Sequence, residues 1–106
     1  MIHPSLRLPP EDLSAFCRRW RIARLEVFGS ALRDEFRPDS DVDFLVTFAP
    51  DASWSLLDLD EMEEDLARLV GRKVDLVSRR GVERSQNWLR RRAILGSAEP
   101  VYVGSG

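Results

Sequence analysis

Apolar positions recur along this chain with two different periods, and each period predicts its own kind of element. Leu13, Phe16, Cys17 and Trp20 fall at i, i+3, i+4 and i+7, the spacing that lines one face of a helix. Pro9-Pro10 followed by Glu11-Asp12 supplies the proline and the acids that suit a helix start. Cys17 lies on the apolar face and is expected in the core. Residues 1–9 form an irregular lead-in.

A period of two then takes over. In 22–28, Leu25 and Val27 point one way and Arg24, Glu26 and Phe28 the other, as in a strand. In 42–48, Val42, Phe44, Val46 and Phe48 share one face, and Leu45 and Thr47 continue the opposite face begun by Asp41 and Asp43. Between these strands Gly29-Ser30 ends the first, and a short helix is expected over 31–36, stopped by Pro38 and the polar residues after it.

Further on, Leu56, Leu59, Met62, Leu66, Leu69 and Val70 predict a helix over about 55–70 with these residues as its buried stripe. Ser55 with Asp58 resembles a capping box, and Gly71 is placed to end the helix. Residues 73–78 predict a third strand. A last helix is expected over 83–95, with Gly96 after it and a broad stripe of Trp88, Leu89, Ala93, Ile94 and Leu95. Residues 100–103 suit a short terminal strand. Helices alternating with a few strands predict an α+β sandwich on a small sheet, in one domain over 1–106.

Composition narrows the function classes. The formal net charge is −2, whereas domains that grip extended nucleic acid are usually clearly basic. Lys73 is the only lysine, and the other basic residues are arginines, which suit bidentate phosphate contacts. No apolar run approaches the roughly 20 residues of a membrane span, and the N-terminus lacks the apolar stretch of a secretory signal. With Cys17 the single cysteine, no internal disulfide is available, and a reducing, cytoplasmic setting is expected.

The chemistry concentrates between residues 25 and 78. Asp41 and Asp43 stand two apart on a strand, so both carboxylates project from one face. Two unit charges about 5 Å apart, at an effective dielectric of about 20, repel by roughly 3 kcal/mol. Such a pair is tolerated when well solvated or when a cation sits between. Carboxylates with open positions suit Mg²⁺, which completes its shell with waters and substrate phosphates. Asp75 lies between Val74 and Leu76 in the third strand. If that strand neighbours the second, Asp75 completes a cluster of three.

Gly29 lets backbone approach a ligand closely, Ser30 adds a hydroxyl donor, and the start of the expected short helix offers free N–H groups to phosphate. Arg33, one turn into that helix, is a further candidate for a phosphate oxygen. These parts suit nucleotidyl transfer, in which two metals clamp the attacking and leaving oxygens and Asp75 takes the acceptor's proton. Trp54 is expected to pack rather than stack on a base. Arg84, Arg90, Arg91 and Arg92 with Trp88 are read as a solvated helix face over a core-anchored tryptophan, with a basic patch for a partner or RNA as the alternative.

The pattern Gly29-Ser30, ten residues, then Asp41-Val42-Asp43, with Asp75 in a later strand, resembles the nucleotidyltransferase superfamily related to DNA polymerase beta, and within it the minimal nucleotidyltransferases. The resemblance runs from about Leu25 to Ser78. It implies a mixed sheet flanked by helices, Mg²⁺ held by Asp41, Asp43 and Asp75, and a triphosphate at Gly29 and Ser30. It also implies a HEPN-domain toxin as partner, to whose tyrosine such an antitoxin transfers AMP from ATP. Two other functions remain in view: transfer to a small-molecule hydroxyl, and a non-catalytic antitoxin that neutralises by contact. Self-association and pairing with a toxin are both open.

Overall fold

The computed structural model describes residues 2–34 and 36–104. Its centre is a sheet of four strands, β1 (Ile22–Phe28), β2 (Val42–Phe48), β3 (Val74–Ser78) and β4 (Glu99–Val103). They lie in the order β3-β2-β1-β4. β1 runs antiparallel to both β2 and β4, while β2 and β3 are parallel, so the sheet is mixed and the fold α+β. The parallel pair needs a long crossover, and the helix α2 (Leu56–Val70) supplies it.

Alternation along β1 and β2 sorts side chains onto two cores. Leu25, Val27, Val42, Phe44 and Val46 pack with Leu13, Phe16 and Cys17 of helix α1 (Pro10–Arg19), and with Met62, Leu66 and Val70 of α2. On the opposite face Phe28 and Leu45 pack with Val82 of helix α3 (Arg79–Glu83) and Ile94 of helix α4 (Trp88–Ser97). The second core is small, because this face also carries the polar residues described below. Among the described residues no helix is long and apolar enough to cross a membrane.

The expected capping box is present: Ser55 Oγ accepts from the Asp58 N–H, and the Asp58 carboxylate accepts from the Ser55 N–H. Gly71 closes α2 in the left-handed conformation, φ 73°. Trp54 packs, as expected, with its ring edge-on to Trp20 at 5.2 Å between centroids.

Several expectations are corrected. The helix over 31–36 does not form; a single 3-10 turn spans Gly29–Leu32 and the chain turns extended at Arg33. Pro38 disfavours helical backbone at the residue before it and removes an N–H donor, so a helix begun here has no room to continue. Residue 35 of that expected helix lies outside the described residues. Leu56 is 81% exposed, so the stripe of α2 begins a turn later, at Leu59; the first turn projects past the elements that α2 packs against.

The helix expected over 83–95 is broken into α3 and α4 by a polar turn. There Ser85 Oγ accepts from the Asn87 N–H and Asn87 Oδ1 from the Arg90 N–H, side-chain bonds that compete with a continuous helix. Asn87 thereby caps a new helix that runs through Gly96 to Ser97. The restart puts Trp88 at its first position, where the residue is 56% exposed instead of anchoring the core.

Two outcomes follow from these contacts. Ser55→Ala removes one half of the capping box and should lower stability by about 1 kcal/mol in urea unfolding. Burial pushes the Cys17 thiol from 9.0 up to about 12, partly offset by the positive charge of Arg18. The folded state therefore favours the neutral thiol. That contribution is complete below the unfolded value and is lost as pH rises from about 9 through the folded value near 12. Folded protein should leave Cys17 unlabelled by an aromatic disulfide reagent at about pH 8, and Cys17→Ala should flatten the alkaline fall in stability relative to the native chain.

Candidate active site

The site forms where β1 ends and β2 and β3 begin. Register decides its composition. Asp43 pairs directly with Asp75 across the parallel strands, and with Phe28, the last residue of β1, across the antiparallel ones. The Val42 N–H donates to the Lys73 carbonyl at 3.0 Å, fixing the starts of β2 and β3 level with one another. Directly paired residues point to the same side of a sheet, and Asp41 is two residues before Asp43. The sequence-derived Asp41, Asp43 and Asp75 therefore share one face, with Asp43 half-buried and the other two exposed.

Gly29 follows at the mouth of β1 with φ 75°. A Cβ on it would stand 2.4 Å from Asp43 Oδ2, so a glycine is required here on two grounds: the left-handed backbone and the closeness of the carboxylate. Ser30 Oγ donates to the Asp41 carbonyl at 3.3 Å, a long bond that is cheap to exchange for another acceptor. Gly29 is thus brought up against the Asp43 carboxylate, and Ser30 against the Asp41 backbone. Arg33 is not placed as expected. It stands exposed on extended backbone beyond the 3-10 turn rather than one turn into a helix, and no helix dipole reinforces the turn.

The electrostatics are those of crowded like charges. Burial raises the pKa of Asp43 above the ordinary carboxylate range, the negative charges of Asp75 and Asp41 raise it further, and Arg90 pulls the other way. Among the described residues no three His, Cys, Asp or Glu side chains converge into a ready-made metal cage. What they offer is an open, all-oxygen donor set with excess negative charge, and that chemistry fits Mg²⁺, which keeps waters and substrate oxygens in its shell.

Two residues of this face were not assigned to the site from the sequence: Arg90 was read only as one of an arginine patch, and Glu26 only as a strand residue. Arg90 lies one helical turn before the buried Ile94 and supplies the opposing charge to Asp43. Its signal was the spacing i to i+4 from Ile94, hidden within a run of three arginines. Glu26 is a buried charged residue, 4% exposed. Its carboxylate meets Arg79 at 3.0 Å and Arg24 at 3.3 Å, which joins the first residue of α3 to β1. Alternation put Glu26 on this face, but nothing in the sequence distinguished it from a solvated strand residue.

Comparison with known proteins identifies the family and the fold. The family model described as nucleotidyltransferase domain matches residues 12–100. The protein adenylyltransferase MntA of Thermococcus cleftensis is 48% identical over 59 residues, which is 56% of this chain and 58% of that protein. The chain spans between 58% and 63% of the length of the curated relatives it matches. A solved structure described as a minimal nucleotidyltransferase is 38% identical, covers 87% of this chain and 88% of its own, and superposes with a TM-score of 0.65. A chain from the complex of a tri-AMPylated Shewanella oneidensis HEPN toxin with MNT antitoxin superposes with a TM-score of 0.60, covering 90% of this chain and 70% of that one. At 18% identity that last likeness is one of fold.

The contact between Gly29 and Asp43 is open to a direct test. Gly29→Ala should cost about 1–3 kcal/mol, from the positive φ and the displaced carboxylate together, measured by urea unfolding. Gly71→Ala has the same sign of φ and nothing within 4 Å of the added methyl, so it should cost less.

Proposed function

The chain belongs to the nucleotidyltransferase domain family, and from that premise we propose that it transfers AMP from ATP to a hydroxyl, a tyrosine by preference, of a HEPN-type toxin and so acts as an antitoxin. The observation that carries this reading is the placement of Asp41, Asp43 and Asp75 on one face at one end of the sheet, with Asp43 beside Gly29. The adenylyltransferase description of the T. cleftensis relative supports AMP as the group moved. The tri-AMPylated toxin in the S. oneidensis complex supports a protein acceptor.

In this reading the Gly29 and Ser30 backbone N–H groups and the Ser30 hydroxyl hold the triphosphate tail. Asp41, Asp43 and Asp75 would hold Mg²⁺, two ions in the full complement, which supplies charge neutralisation along the triphosphate when bound. The acceptor oxygen forms a bond to the α-phosphorus, the bond from that phosphorus to the bridging oxygen breaks, and pyrophosphate leaves with the electron pair. The acceptor's proton passes to the Asp75 carboxylate, which is exposed at the start of β3. Positioning and electrostatics do most of what the reaction requires.

The test is incubation of the chain and its toxin with ATP and Mg²⁺, followed by intact mass. Addition of AMP to the toxin, reduced at least about a hundredfold in Asp41→Ala, is the expected result. Neutralisation that survives Asp41→Ala with no added mass would instead assign the protein to contact inhibition. Asp75→Asn should likewise lose transfer while unfolding at the same or higher urea concentration, because it removes a like charge beside Asp43.

A further inference from the structure

Beyond the carboxylates, on the same face, α3 and α4 leave a cleft of about 130 Å³. Val77, Val82 and Ile94 form its apolar floor, and Ser85, Arg90 and Arg91 line its rim. Its place relative to the site is set by the sheet. Val77 lies two residues past Asp75 in β3 and pairs with Leu45, two residues past Asp43 in β2. The cleft therefore opens about 7 Å along the strands from the acids. It lies at the β3 side of the sheet, whereas Gly29 and Ser30 lie at the β1 side.

In-line displacement turns that placement into an assignment. The attacking oxygen must enter opposite the leaving pyrophosphate. With the triphosphate tail at the β1 side, the acceptor approaches over Asp75, from the side where the cleft lies. We propose that this cleft between α3 and α4 is the acceptor site, taking the phenol ring of a tyrosine with its hydroxyl directed back to Asp75; this rests on the transfer reading above.

The chemistry of the lining fits a flat aromatic ring. Aliphatic cavities of roughly 150 Å³ accept a benzene ring. The planar guanidinium groups of Arg90 and Arg91 at the rim suit an aromatic face, and Arg91 is held in place by donating from Nη1 to the Ser85 carbonyl at 3.0 Å. The surroundings suit a protein acceptor over a small molecule. Trp88 and Leu89, next to Arg90, are 56% and 63% exposed. Residues 79–92 carry six arginines against one glutamate in a chain whose net charge is −2, so an acidic surface around the acceptor tyrosine complements them.

The test follows the methyl NMR signals of Val77, Val82 and Ile94 in the whole chain during titration with N-acetyl-L-tyrosinamide, and separately with a non-hydrolysable ATP analogue and Mg²⁺. The expected result is that these methyls shift with the tyrosine amide, and that the shifts disappear in Val77→Phe, whose ring fills the cleft. Shifts with the ATP analogue alone would make the cleft a nucleobase site and overturn the proposal; shifts with neither would reduce it to a packing gap. In the transfer assay, Val77→Phe should raise the KM for the toxin by about tenfold or more while the KM for ATP stays within about twofold, and the reverse pattern overturns the proposal. A native chain that transfers no AMP would defeat the transfer reading alone, since the methyl shifts decide the cleft without turnover.

Discussion

The parallel, level pairing of β2 with β3 is the constraint on which the rest of the molecule depends. It sets Asp43 directly against Asp75, an arrangement that costs the fold like-charge repulsion and that only a specified register preserves. A slip of one residue would turn Asp75 inward and bring Val74 and Leu76 out of the main core. The register is held from both sides of the sheet. The apolar face of β2 is sealed by α1 and α2, and the Val42–Lys73 backbone bond fixes the end nearest the acids. Hydrophobic burial on one face thus supports electrostatic tension on the other.

That division of labour explains what could be read without coordinates. The strands were legible because β1 and β2 alternate cleanly, and α2 because its cap, stripe and terminal glycine agree with one another. Asp41 and Asp43 were legible because strand geometry makes i and i+2 neighbours. Asp75 needed one further condition, adjacency of β2 and β3, which sequence spacing could state but not decide. The 3-10 turn at Gly29, the break at Ser85–Asn87 and the exposure of Leu56 and Trp88 were not legible. Each depends on where a helix begins relative to its neighbours, and apolar periodicity alone does not register that. Glu26 was hidden for the opposite reason: its burial is created by Arg24 and Arg79, and one of these is 53 residues away.

The family assignment and the geometry bear on different questions. The match over residues 12–100 establishes what the chain is related to. The shared face of three acids, the close passage of Gly29 and the charge of Arg90 say how such a relative arranges its own groups. Asp43 is the meeting point. It is the half-buried member, it touches the glycine, and it feels the other two acids and the arginine together. Through Arg90, α4 therefore bears directly on the acid that is most enclosed.

The strand order has a mechanical consequence. β3 and β4 occupy opposite edges of the sheet, so the chain between them, residues 79–98, has to span the full width of one face, about 14 Å for four strands. That stretch is a bridge with an abutment at each margin, pinned near one end where Arg79 grips Glu26. Detachment of the outermost strand, β4, would slacken the whole span and admit water over Phe28 and Leu45, and so change the hydration of carboxylates that lie on the far strands of the sheet.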